Sequence, residues 1–133
     1  MPVPLEPEME ELLGEERSAA FACFFEQLQI WYGSHSVGPD GVRLTQSEDY
    51  EELQGILYEA GVYLDSDGPS RTAFSGEVEQ KYRTAESNLF MFLFSTMMPV
   101  LSTLGQEEAV EISPEGWEGL GDGIDELIRL YTA

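Results

Sequence analysis

The sequence predicts a mainly α, α+β domain: four to five helices packed around a central hydrophobic helix (about 76–104), with a two- or three-stranded antiparallel sheet (about 42–45, 62–65 and 71–74). Three observations predict it. Apolar residues recur at steps of three and four over most of the chain, the spacing of one helix face. From Leu89 to Leu101 they occupy every side of the helix, so a helix covered all round is expected. Short alternating runs between Gly, Pro and Asp turn formers read as strands. A length of 133 residues fits one domain over 1–133, and 42% hydrophobic content with 7 Phe, 2 Trp and 6 Tyr argues against disorder.

The elements follow in order. Pro2, Pro4 and Pro7 extend the start of the chain; Pro7 then opens a short helix with Glu8, Glu10 and Glu11 near its positive end. Met9, Leu12 and Leu13 give it an apolar edge, and Gly14 ends or kinks it. A second helix, Glu15–Tyr32, carries an aromatic stripe (Phe21, Phe24, Phe25, Leu28, then Trp31 or Tyr32) expected to pack on the central helix. Gly33–Gly41 is a turn region. Val42–Thr45 is a strand, and Ser47 N-caps a helix that Gly61 closes. Val62–Leu64 reads as a second strand, Asp65–Pro69 as a turn and Arg71–Phe74 as the returning strand.

Ser75 or Gly76 starts the long helix, Pro99 should bend it near Ser95–Pro99, and Gly105 should stop it. Its uninterrupted apolar run falls short of the roughly 20 residues of a bilayer crossing, so it is expected in a core. In the last helix Ser113 is the N-cap and Pro114 the first helical residue. Trp117, Leu120, Ile124, Leu127, Ile128 and Tyr131 share one face; Glu115, Glu118, Asp122, Asp125 and Glu126 share the other with Arg129. Gly116, Gly119 and Gly123 cost this helix roughly 2–3 kcal/mol against alanine. Close approach of a neighbouring backbone is the expected reason.

Catalytic chemistry finds little support. His35 is the only histidine and Cys23 the only cysteine, which reads as a small buried hydrophobe. Metal sites built on His and Cys lack ligands. Asp65-Ser66-Asp67-Gly68 fails as a calcium loop because Tyr63 and Phe74 occupy the first and twelfth ligand positions. No Gly-rich phosphate loop with a following lysine is present. The chain is read as a non-enzyme without cofactor or metal.

Charge is the informative quantity: 26 Asp plus Glu against 6 Lys plus Arg, a net −20. Such an excess works against the compact state by self-repulsion. Salt adaptation or an acidic lineage would account for it blandly, but only six of the acids are Asp. Phosphate contacts need Lys and Arg, so direct binding to nucleic acid or an anionic membrane is disfavoured. The expected role is a cytoplasmic interaction protein, an inhibitor or regulator that occupies the basic surface of a nucleic-acid-handling protein as a nucleic-acid mimic, phage antagonist or nuclease-immunity protein does. Its expected docking residues are Glu115, Glu118, Asp122, Asp125 and Glu126 on the last helix, with Glu8, Glu11 and Glu15 near the start. The alternative is a secretion chaperone or virion accessory protein that holds a partner through an apolar surface. Either could be a monomer or a homodimer.

Overall fold

The computed structural model describes residues 5–65 and 76–132. Helix α1 (Pro7–Leu13) opens on its proline and ends at Gly14, whose φ of 87° is open to a residue without a Cβ. Helix α2 (Glu15–Gly33) follows at once. The Pro39-Asp40-Gly41 turn then leads into β1 (Val42–Thr45). A π-helical turn (Gln46–Tyr50) runs into α3 (Glu51–Asp65). One continuous helical run comprises α4 (Gly76–Met91), a π segment (Phe92–Met97) and α5 (Met98–Gln106). Strand β2 (Ala109–Ile112) and α6 (Pro114–Thr132) complete the order.

The fold is mainly helical with a two-stranded antiparallel sheet, as the periodicity predicts. The sheet's second strand differs from the expected one. β1 pairs with β2, in register from Val42 opposite Ile112 to Thr45 opposite Ala109. Gly41 makes this approach possible: its φ is 105°, and a Cβ there would stand 1.9 Å from the Ile112 carbonyl oxygen. Residues 62–65 are not a strand; they continue α3 straight through Gly61. A short apolar run cannot be assigned by periodicity alone, and a helix already in progress carried this one along. Residues 109–112 alternate too, but stand among Glu107, Glu108 and Glu111, which mask the strand pattern. The expected strand at 71–74 and most of the turn at 65–69 lie outside the described residues.

The long helical run is not covered on every side. Tyr82, Ala85, Leu89, Phe92, Leu93, Met97, Leu101 and Leu104 face the core, whereas Phe90, Met91, Phe94 and Met98 are 39%, 61%, 59% and 40% exposed. It thus has an inner and an outer apolar face, which together look like a helix apolar all round. The disturbance expected around Pro99 takes the form of the π segment, where the Met98 amide bonds the Leu93 carbonyl five residues back. That wider turn inserts one residue, so Met97 rather than Thr96 faces inward. Pro99 then falls in the first turn of α5, just past the π segment. By length and composition Gln80–Gln106 could cross a membrane (hydropathy 1.4), but 33% of that window is buried inside the protein.

Helix α2 lies against α1, α3 and α6, and its aromatic stripe meets Trp117 and Tyr131 of α6. Phe24, Phe25, Leu28 and Trp31 are at most 1% exposed and form the deepest part of the core. Helix α6 lies antiparallel to α2: Trp117 meets Trp31 and Tyr32 at one end, and Tyr131 meets Phe21 and Phe25 at the other. Cys23 is exposed, contrary to its expected burial, because it falls on the side of α2 that turns away from these contacts.

Candidate functional site: the acidic face of the last helix

Ser113 Oγ accepts the Gly116 amide at 3.0 Å, so the N-cap expected from sequence is formed. All six apolar residues predicted for the inner face of α6 are buried, and Glu115, Glu118, Asp122, Asp125 and Glu126 are exposed. Within that row the charges are not equivalent. Arg129 donates to Glu126 from Nε at 3.1 Å and from Nη2 at 2.5 Å. This hydrogen bonding lowers the Glu126 carboxyl and raises the Arg129 guanidinium from their ordinary values. Glu126 is therefore largely offset.

Glu118, Asp122 and Asp125 instead line an open groove between α2 and α6, together with Gln29, Tyr32, Gly121 and Ile124. Tyr32 is the aromatic side chain in this lining, with the buried Trp117 beneath it. The Tyr32 ring lies flat on Trp117, centroids 4.6 Å apart and planes 8° from parallel, and its hydroxyl donates to the Trp117 carbonyl at 2.8 Å. Burial, followed by the charges of Asp122, Asp125 and Glu118, raises the Tyr32 phenol above its ordinary value. Three carboxylates thus set up a negative field over a fixed aromatic surface.

Gly121, not one of the three glycines singled out in the sequence, permits this packing. A Cβ on Gly121 would stand 2.3 Å from the Tyr32 hydroxyl oxygen. Gly119 faces open space, and Gly123 would make only ordinary contact with the Phe92 ring. Gly116 would press on the side chains of Ile112 and Ser113. None of the three is approached by a neighbouring backbone. The sequence signal for Gly121 was available only as a glycine on the buried side of the α6 wheel, four residues after a tryptophan.

The other three predicted residues lie apart from this groove. Glu8 is 4.0 Å from Lys81 Nζ, which also hydrogen-bonds Glu6, so part of its charge is compensated. Glu11 and Glu15 are exposed where α1 meets α2. The Glu6 amide donates to the Tyr131 carbonyl at 2.9 Å, bringing the acid-rich first helix against the end of α6. Two acidic surfaces result, the groove and the α1 edge.

His35 is committed to structure. Its Nδ1 lies 2.7 Å from the Trp31 carbonyl and its Nε2 lies 2.7 Å from Asp49 Oδ1. Asp49 Oδ2 in turn accepts the Thr45 amide at 2.8 Å where the chain enters the π turn. Asp49, not the expected Ser47, therefore organises the start of that helix. With both nitrogens occupied, His35 has none left to activate a nucleophile. Among the described residues no group of three His, Cys, Asp or Glu could hold a metal ion.

Compared with protein-family models, curated proteins and solved structures, the chain matches none.

Proposed function

We propose that this is an acidic interaction protein that occupies a basic surface on a nucleic-acid-handling protein, as an inhibitor or regulator working in the cytoplasm. One observation carries the reading: Glu118, Asp122 and Asp125 converge on the Tyr32–Trp117 platform, and no ion pair offsets them among the described residues. Carboxylates three and four residues apart on a helix stand roughly 5–6 Å from one another and repel. Helix stability does not call for such a row. A partner's Lys and Arg side chains would relieve the repulsion on docking, and an Arg guanidinium could also stack over the Tyr32 ring. Charge complementarity of this kind speeds association and makes it salt-dependent.

The test uses the protein as bait at low salt, followed by affinity measurements on each basic protein retained, at low and high salt. Tight binding that weakens with salt, and that weakens further in a Glu118→Gln, Asp122→Asn, Asp125→Asn triple variant, is the expected result. Affinity indifferent to salt and to the triple variant would sink the proposal.

A second reading, a carrier that holds a partner's apolar segment, draws on the exposed Phe90, Met91, Phe94 and Met98. Its mark is a complex that persists or tightens as salt is raised.

A further inference from the structure

The His35 ring is held between two acceptors. Nδ1 lies 2.7 Å from the Trp31 carbonyl and Nε2 lies 2.7 Å from Asp49 Oδ1. A carbonyl has no hydrogen to give, so Nδ1 carries one, and the contact of Nε2 with Asp49 needs a second hydrogen between them. The pair thus holds one proton more than a neutral imidazole beside a free carboxylate. Water has little access to it, since the two side chains are 14% and 7% exposed. Both tryptophans of the chain lie against the ring, with centroids 5.0 Å away for Trp31 and 5.3 Å for Trp117. Among the described residues, hydrogen bonds and ring contacts reach His35 from Trp31 and Ser34 at the end of α2, from Asp49 in the π turn and from Trp117 on α6. Asp49 is the titratable one of these.

We infer that His35 and Asp49 form a proton-operated clasp, complete while the pair holds its second proton and opened at the Trp31 end when that proton leaves. A neutral imidazole has one N–H to serve two acceptors. The hydrogen stays toward Asp49, because a charge-assisted bond to a shielded carboxylate is the stronger of the two. The Trp31 carbonyl also keeps another donor, the Ser34 hydroxyl at 2.8 Å. Nδ1 then turns a lone pair toward that carbonyl, and two acceptors at hydrogen-bonding distance repel. The ring has to move, and it moves against both indoles. Its place in the chain gives the motion reach. His35 stands where the chain leaves α2, Asp49 stands in the π turn that leads into α3, and the Thr45 amide that Asp49 accepts belongs to the last residue of β1. Trp117 also stacks on Tyr32, so the clasp and the lining of the groove share a side chain. Histidine is the side chain whose ordinary ionisation falls between about pH 5 and 8, and this chain has one.

Nitrogen-15 NMR of the His35 ring in the intact chain, across a pH series, tests the clasp directly. On the acid side both ring nitrogens should be protonated; as the pH rises Nδ1 should lose its hydrogen while Nε2 keeps one. Tryptophan fluorescence should change over the same interval, with the far-UV circular dichroism constant because the helices persist. His35→Gln should abolish the fluorescence transition. Asp49→Asn removes the carboxylate beside the ring and should move the transition down by about one pH unit or more. Should either variant fail to fold, the ring NMR of the unaltered chain decides. A ring that carries a single hydrogen throughout the series overturns the inference, as does one that gives up the Nε2 hydrogen and keeps Nδ1–H. So does fluorescence that stays flat while the ring titrates, or a transition that survives His35→Gln.

Discussion

Tyr32 shows how far a single side chain organises the groove. It stacks on Trp117, bonds that residue's carbonyl, and fills the space that Gly121 leaves open. Gly121→Ala should therefore destabilise the protein by about 1–3 kcal/mol through overpacking. Gly119→Ala, on the open side of the same helix, should stabilise it by about 0.5–1 kcal/mol. Thermal melts of the two variants should move in opposite directions. Tyr32 and Tyr131 also set a pH limit. Burial foremost raises both phenols above the ordinary value of 10.0, so the folded chain holds these protons more tightly than the unfolded one. Their contribution to stability is complete below that value and is lost as the pH climbs through it toward the folded values. The melting temperature should therefore fall above about pH 10, as thermal melts across an alkaline pH series would follow. None of this was legible in the sequence, where Tyr32 stood only as an alternative to Trp31 and His35 only as a loop residue. Contacts between residues far apart in the chain decide both.

Helix boundaries were legible from local chemistry at α1 and at the start of α6, but not at Gly61, which α3 runs through, or at Ser47, whose capping role Asp49 takes. Pro7 and Gly14 bound α1, and Ser113 and Pro114 start α6 as their capping roles require. The inner face of α6 was readable to the residue. The long run was read less well because the wheel assumes 3.6 residues per turn, and the π segment breaks that assumption. Its register can be tested directly. Met97 is fully buried and Met98 is 40% exposed, so Met97→Ala should cost about 2–5 kcal/mol. Met98→Ala should change stability by no more than about 0.5 kcal/mol. Denaturant melts of the two distinguish the π register from a regular helix, in which Thr96 would face inward. Strand pairing was the other failure, since β-prone residues at 62–64 gave no hint that α3 would run on through them.

For the molecule as a whole, composition announced the dominant force but not its distribution. The net charge of −20 is read at once, while the division between a groove on α6, an edge on α1 and a neutral outer face on the long run needs the fold. Repulsion within such a chain is screened over roughly 10 Å at 0.1 M salt. The melting temperature should therefore rise as monovalent salt is added from low ionic strength, and the Glu118→Gln, Asp122→Asn, Asp125→Asn variant should show a smaller rise. Differential scanning calorimetry across a salt series measures both.

The pairing of β1 with β2 bears on how the chain reaches its native state. Thr45 and Ala109 are partners in the register, so the chain leaves one spot after Thr45 and returns to it at Ala109. Closing so long a loop costs entropy before any strand contact can offset it, whereas the helices within it form from local contacts. The two strands should meet only after α3, α4 and α5 have begun to condense, which places the sheet late on the folding route. Val42→Ala should accordingly accelerate unfolding and leave the refolding rate almost untouched, making the sheet a latch that closes last and opens first.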